Sequence, residues 1–310
     1  MRDKIYLVIF LLVVGFLLYL GRDAIRSSVL VSWALTFGGI TAVAILIVSL
    51  YRFRIELEAS RHELARKEAE ISVALKVQEA LFPRQLPSDR GLQFSAVCIP
   101  ARGISGDYYD ILSLPDGRIA FAVADVSGKG ISAAILMSNV QALLRVISTD
   151  GSAPHDVCKK LNDHLCQVTS ASQFVTLFYA HWDPAECLMR YVNAGHNPPI
   201  LLGRTRTLSL DTGGVPLGIF ADPKFETGEA RLELEDLIVL YSDGITEAGQ
   251  SEDHDFGEER LKTLVLSMRN LPLPEIQEKV MAAVRSWAGR EPEDDMTLVL
   301  VRAIEEGPQQ

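Results

Sequence analysis

Two uninterrupted apolar runs fill most of the first 51 residues, IYLVIFLLVVGFLLYL (5–20) and VLVSWALTFGGITAVAILIVSLY (29–51). No soluble fold has an easy place for both. A helix crosses a bilayer of about 30 Å with about 20 apolar residues, so the second run qualifies outright. The first is shorter and would rise only about 24 Å at 1.5 Å per residue, so it spans with help from its flanks or in a thinner bilayer. Arg2 and Lys4 before the first run also suit a signal peptide. However, GRDAIRSS (21–28) offers no small-x-small cleavage site and a full span follows at once. The expectation is therefore a membrane anchor over 1–51 made of two transmembrane helices, about 5–20 and 29–51, with a signal plus one span as the alternative. Arg52, Arg54, Arg61, Arg66 and Lys67 outnumber Arg22 and Arg26 between the runs. That bias puts the rest of the chain in the cytoplasm. The loop between the runs is too short to be a sensor domain.

Composition removes two function classes. With 30 Lys and Arg against 40 Asp and Glu, the net charge of −10 argues against a nucleic-acid surface. The four cysteines (98, 158, 166, 187) form no C-x-x-C pair, and none is followed by arginine six residues on. Zinc-like spacing and the C-x5-R loop of cysteine phosphatases are both missing, so reduced, partly buried thiols are expected.

Residues 52–82 hold no glycine or proline, and Leu57, Leu64, Ile71 and Gln78 recur every seven residues. Such a seam suits a short coiled-coil homodimer through 52–82, and equally a lone amphipathic helix lying on the next domain. PRQLPSDRG (83–91) then breaks the helix. Beyond it, short strand-like runs (LQFSAVCI, YYDILSL, RIAFAVADV) precede helices over 131–148 and 154–169, with PDG (115–117) as a hairpin turn. Further strands follow (FVTLFYAHW, LMRYVNA, PPILLG, DLIVLYSD), then helices near 257–268 and 273–288 and a closing strand, MTLVLVRAI. Strand runs interrupted by helix pairs predict an α+β sandwich over 83–304, with 305–310 as a frayed tail.

Four stretches share a design in which a strand end or edge presents Asp in a small-residue turn. They are SGDYYD (Asp107, Asp110), VADVSGKG (Asp125), LYSDGITEA (Asp243) and EDDMTLVLV (Asp294, Asp295). One such Asp is ordinarily a turn residue or cap. Four in one domain point elsewhere, because oxygen-only ligands of high charge suit Mg²⁺ or Mn²⁺ rather than zinc. Two nucleotide readings of the glycine turn fail. A P-loop needs Ser or Thr after Gly-Lys, but Gly130 follows Lys129 and Val123 stands at the earlier glycine position. GKGISA matches a dinucleotide turn, yet Asp150, about twenty residues on, follows a helix rather than a strand.

PARGISGDYYDIL, ADVSGKGISAAILMS, FVTLFYAHWDP, YVNAGHNPPILL, GGVPLGIF, LYSDGITEA and DDMTLVLVR occur in one order. In that order the chain resembles, over about 85–303, the bacterial branch of metal-dependent protein serine/threonine phosphatases. This is the protein phosphatase 2C-like group of stage II sporulation protein E and the stress sigma-factor regulators. VQEALFPRQLP (77–87) also looks like that family's entry into its catalytic domain. The resemblance implies a four-layer α-β-β-α sandwich of two antiparallel sheets and a centre of two Mn²⁺ or Mg²⁺ ions. Asp107, Asp125, Asp243 and Asp294 would be the ligands, with Asp125 bridging and the Val126 carbonyl adding a further oxygen. Asp110 and Asp295 would orient them. Ser105 departs from the family's usual glycine, and Ser242 stands where threonine is frequent.

The implied chemistry is in-line hydrolysis of phosphoserine or phosphothreonine by a two-metal-activated water. Arg102 is a candidate phosphate clamp or a solvated loop arginine. His196, in NAGHNPP, is either a leaving-group acid or, more in keeping with the rigid Asn-Pro-Pro loop, a turn histidine. The resemblance also implies a phosphorylated protein substrate of the anti-sigma-factor antagonist class. A phosphatase-like scaffold without turnover and a small-molecule phosphohydrolase are the alternatives. The expected location is the cytoplasmic membrane of a bacterium, with the catalytic domain inside the cell.

Overall fold

The computed structural model describes residues 14–16, 19, 21–22, 29–88, 90–101, 103–169, 173–249, 254–289 and 291–305. The expected first span, 5–20, lies almost wholly outside the described residues, as does most of the 305–310 tail. The chain divides into two units, Met1–Ala69 and Glu70–Gln310.

A single α-helix, α1 (Val29–Glu79), carries the second apolar run straight into the charged segment that follows. The sequence suggested a span and a separate juxtamembrane helix, but nothing between Tyr51 and Arg52 breaks the backbone ladder. Apolar side chains from Val29 to Tyr51 are exposed, including Trp33, Phe37, Ile45 and Ile47. The heptad seam divides along α1. Leu57 and Leu64 are exposed, whereas Gln78 is only 4% exposed, and a Cβ on Gly103 would strike Ile71 at 2.7 Å. The last turns of α1 are therefore packed against the catalytic unit.

That unit is built on two sheets. The first has the order β1 (Leu92–Ile99), β11 (Met296–Ala303), β10 (Leu237–Tyr241), β6 (Ile200–Leu202), β7 (Thr207–Ser209). The second has the order β2 (Tyr108–Ser113), β3 (Ile119–Val126), β4 (Val175–Asp183), β5 (Leu188–Ala194), β8 (Gly213–Gly214). Strand β9 (Gly228–Arg231) shares the outer edge of β5. Among the described residues every strand pairing is antiparallel except β5 with β8, which run parallel over two residues, so the second sheet is not purely antiparallel. That short contact needs glycine, since a Cβ on Gly213 would lie 2.0 Å from the Asn193 carbonyl oxygen.

Alternation along the strands sorts the core into three slabs. Ile119, Phe121 and Val123 of β3 meet Ile238, Leu240, Val299 and Val301 between the sheets. Ala120, Ala122 and Ala124 turn outward beneath α2 (Ile131–Ser148) and α3 (Pro154–Val168), where small side chains let the helices lie close. On the far side Leu298 and Leu300 meet α5 (Glu258–Ser267) and α6 (Leu273–Ala288). Both faces of β3 and β11 are covered, which is why their sequences are continuous apolar runs rather than alternating ones. Helix α2 is long and apolar enough to cross a membrane, but Leu136, Met137, Val140 and Leu144 are buried on the sheet, making it a core helix. The result is the α-β-β-α sandwich. The PDG hairpin also forms, closed by Leu114 N–H to the Arg118 carbonyl at 2.8 Å.

Candidate metal centre

Each sheet delivers two aspartates to the same end of the sandwich. Asp107 precedes β2 and Asp125 is the penultimate residue of β3, both on the second sheet. Asp294 precedes β11 on the first sheet. Asp243 follows β10 there, but it opens a short helical turn, α4 (Asp243–Thr246), rather than ending the strand. Gly244 permits that turn, because a Cβ there would meet the Asp295 carbonyl oxygen at 2.2 Å.

The carboxylates feel one another. Asp107 is 2% exposed and its Oδ2 has no hydrogen-bond partner. Burial, and next the charge of Asp125, holds its carboxyl well above the ordinary range. Asp125 is pushed up to about 7 by burial and then by Asp243, Asp294 and Asp295, with Lys129 opposing. Burial followed by Asp294 raises Asp243. Among the described residues no three acidic, His or Cys side chains already close on one point, so the four form an open cradle. The donor set nonetheless fits a hard divalent cation. It is oxygen-only and repels itself, and one buried carboxylate oxygen is left without a partner. The Val126 carbonyl lies beside the loop that carries Asp107, for a Cβ on Gly106 would come within 3.2 Å of its oxygen.

Asp295 fastens the loop that carries Asp107. Its Oδ1 accepts from Ala101 N–H at 2.8 Å, and its Oδ2 accepts from Gly106 N–H at 2.7 Å and the Ser105 hydroxyl at 2.9 Å. Ser105 Oγ also accepts from Asp107 N–H at 2.9 Å and from Cys98 Sγ at 3.3 Å. That uses its one donor and both acceptors, so the departure from glycine brings in a fully employed hydroxyl. The Gln78 side chain clamps the Ser105 backbone from both directions, donating to its carbonyl at 2.7 Å and accepting from its N–H at 2.8 Å. Sequence reasoning read Gln78 only as a seam position; a glutamine in an otherwise apolar heptad register was the available signal. Ser242 Oγ donates to the Asp295 carbonyl at 3.1 Å and accepts from Thr297 N–H at 2.9 Å, tying β10 to β11 beside the site.

One other residue lies differently from expectation, and one lies as the loop chemistry suggested. Asp110 does not orient the ligands. Its carboxylate accepts from the Tyr108 hydroxyl and from Arg145 Nε at 2.6 Å and Nη2 at 3.1 Å, anchoring α2 to β2. The physical reason is strand alternation, because Tyr108 belongs to the slab under α2 and Asp110, two residues on, shares its face. His196 is buried, with Nδ1 2.9 Å from Thr176 Oγ1 and its N–H donating to Asn193 Oδ1 at 2.8 Å. Burial lowers its pKa to about 4, so at neutral pH it is an uncharged turn histidine. Arg102 lies outside the described residues.

The raised carboxyls set a pH trend. Between about pH 4 and pH 7 the folded chain binds more protons at Asp125 than the unfolded chain does, so without metal its stability falls as pH rises through that window. Buried His181 and His196, lowered to about 4, act in the opposite sense over the same range, so the carboxylate trend is read as a difference: the gain in urea midpoint on saturating with Mn²⁺ is expected to be larger at pH 8 than at pH 5. An equal gain at the two pH values would show that the carboxylates do not repel as described.

A four-layer sandwich with carboxylates from both sheets converging at one end defines a phosphatase 2C-like domain. The family model for Stage II sporulation protein E matches residues 115–304. The phosphoserine phosphatase RsbU of Bacillus subtilis is 31% identical over 237 residues, covering 76% of this chain and 70% of that protein. The phosphoserine phosphatase RsbP of the same organism is 25% identical, covering 75% of this chain and 57% of that protein. Among solved structures, the SiaA-PP2C domain of Pseudomonas aeruginosa superposes with a TM-score of 0.69 at 19% identity, covering 77% of this chain and 98% of that one. The phosphatase domain of B. subtilis SpoIIE with a fragment of its regulatory domain gives 0.60 at 25% identity, covering 68% and 63%. The chain belongs to the stage II sporulation protein E family, and with it to the phosphoprotein phosphatases.

Proposed function

We propose that this chain is a membrane-tethered serine/threonine protein phosphatase that uses two Mn²⁺ or Mg²⁺ ions. The observation that carries the reading is Asp107 Oδ2, buried and unpartnered, on a carboxyl that feels the charge of Asp125. Asp107, Asp125, Asp243, Asp294 and the Val126 carbonyl would hold the ions. When bound, the ions supply an activated water and neutralise charge on the transferred phosphoryl group. The chain's own residues hold that arrangement: Asp295 and Ser105 fix the Asp107 loop, and Ser242 fixes the turn that presents Asp243. Tethering is supported by the exposed apolar length of α1 and by the basic cluster from Arg52 to Lys67. The packing of Ile71 and Gln78 supports a helix able to influence the site, while the exposed Leu57 and Leu64 leave room for a homodimer. RsbU and RsbP bear the name phosphoserine phosphatase. That name, with the implied sigma-factor cascade, makes a phosphorylated anti-sigma-factor antagonist the substrate class we assign.

The test is phosphate release by the full-length chain in detergent with Mn²⁺. Phosphoserine proteins and peptides are compared with nucleotides and sugar phosphates. Turnover of phosphoserine proteins that EDTA abolishes is expected. Preference for small phosphoesters would make the chain a metabolite phosphohydrolase, and metal binding without any turnover would make it a scaffold.

A further inference from the structure

The GKG turn contains a cation that the proposed chemistry leaves unused. Lys129 follows Asp125 by four residues, and its Nζ bonds to the Asp294 carboxylate and to the Glu293 carbonyl at 3.1 Å. It stands among the carboxylates of the site, where burial raises Asp125, Asp243 and Glu247 and the Lys129 charge acts against that rise in each. It also lines a cavity of about 190 Å³ beside Asp294, together with Gly244, Glu247 and Arg285. The rim of this cavity is acidic, with Glu247, Glu291 and Glu293 all on it. A phosphomonoester dianion entering there needs a positive group to meet it; Arg285 shares the wall, but Lys129 is the one bonded to Asp294, a carboxylate of the site.

We propose that Lys129 is the phosphate-binding cation of this site, exchanging Asp294 for the phosphoryl oxygens of the substrate; this rests on the phosphatase reading above. Three features fit it for the exchange. The pair is half exposed, with both side chains at 45%, so it is weak and readily given up. A divalent ion held by Asp294 would take up the charge that attracts the ammonium and would repel the lysine itself. Gly128 and Gly130 flank Lys129 at φ +98° and +74°, and a Cβ on either would meet nothing within 4 Å. The turn therefore carries the lysine with little packing to hold its stem. Lysine, a flexible stem ending in a compact charge with three rotatable donors, suits a phosphate that must also be released.

The test uses the full-length chain in detergent with saturating Mn²⁺, with inorganic phosphate as the probe and calorimetry as the readout. Lys129→Gln is expected to weaken phosphate binding by at least about tenfold, the lower end of what a hydrogen bond to a charged group is worth. It should raise KM for a phosphoserine peptide by a similar factor and leave Mn²⁺ affinity equal or tighter. Lys129→Arg should keep phosphate affinity within about threefold of wild type, since it keeps the charge. Unchanged phosphate affinity in Lys129→Gln, with Mn²⁺ bound more tightly, would overturn the proposal and leave Lys129 as a counter-ion of Asp294. So would a wild-type chain that binds Mn²⁺ but no phosphate. Turnover on the same samples judges the phosphatase reading separately.

Discussion

Asp125→Asn lowers kcat by at least about 10²–10³-fold, the scale seen when one element of a preorganised electrostatic site is removed. The same substitution stabilises the metal-free chain. Both follow from one fact: Asp125 is held near pKa 7 by burial and by three neighbouring carboxylates. A neutral amide relieves that repulsion and offers a cation one charged oxygen fewer. Native sites commonly sacrifice stability in this way. Measurement of kcat, together with urea midpoints in EDTA and in Mn²⁺, checks both halves. Wild type should gain stability from Mn²⁺ and the variant should gain little. Asp243→Asn should behave alike from the other sheet. A variant that stays active, or that is destabilised in EDTA, would rule out the shared-cradle account.

Asp295→Ala has the largest expected effect on stability. It removes the acceptor of two backbone N–H groups and one hydroxyl. Each hydrogen bond to a charged group is worth about 1.5–3 kcal/mol, so a loss of about 3 kcal/mol or more is expected. The loop that positions Asp107 is then unmoored, and Mn²⁺ affinity should fall by about 10–100-fold, as it does when groups that orient ligands are removed. Asp110→Asn is the informative contrast. It disturbs a buried carboxylate bonded to Arg145 and Tyr108, away from the cradle. Denaturation midpoints should fall in both variants, and Mn²⁺ titration should separate them. Equal loss of Mn²⁺ affinity in the two would mean that Asp295 acts only through global stability.

What could be read from the sequence divides by range. Helices α2, α3 and α6 were legible because their apolar spacing and their Gly or Pro boundaries are local signals. The continuous apolar runs of β3 and β11 identified strands, and the aspartates beside them stood out against that background. Apart from GGVPLGIF, read as a motif of the resemblance, the stretch from Arg204 to Glu235 gave no reading of its elements. Its strands β7, β8 and β9 are two to four residues long and exist only because β5 and β6 offer them an edge. The helical turn at Asp243 was missed because a close approach to the Asp295 backbone, far away in sequence, determines it. Gln78 and Ser105 were hidden for the same reason: their partners are 27 residues apart. Asp110, expected to orient the ligands, is drawn elsewhere because the pleat gives it the face of Tyr108, where Arg145 meets it.

The origin of the four carboxylates has a mechanical consequence. Two come from one sheet and two from the other, so a cation they share is also a rivet through the seam between the sheets. Its binding energy would then add to the cohesion of the sandwich at that end. With the rivet out, the strand ends there should be the first backbone to exchange with solvent, ahead of the slabs under the helices. On the two-metal reading proposed above, catalytic competence and the tightness of this seam would be one variable. Whatever spreads the two sheets apart, even from a distance, would loosen the grip on the ions.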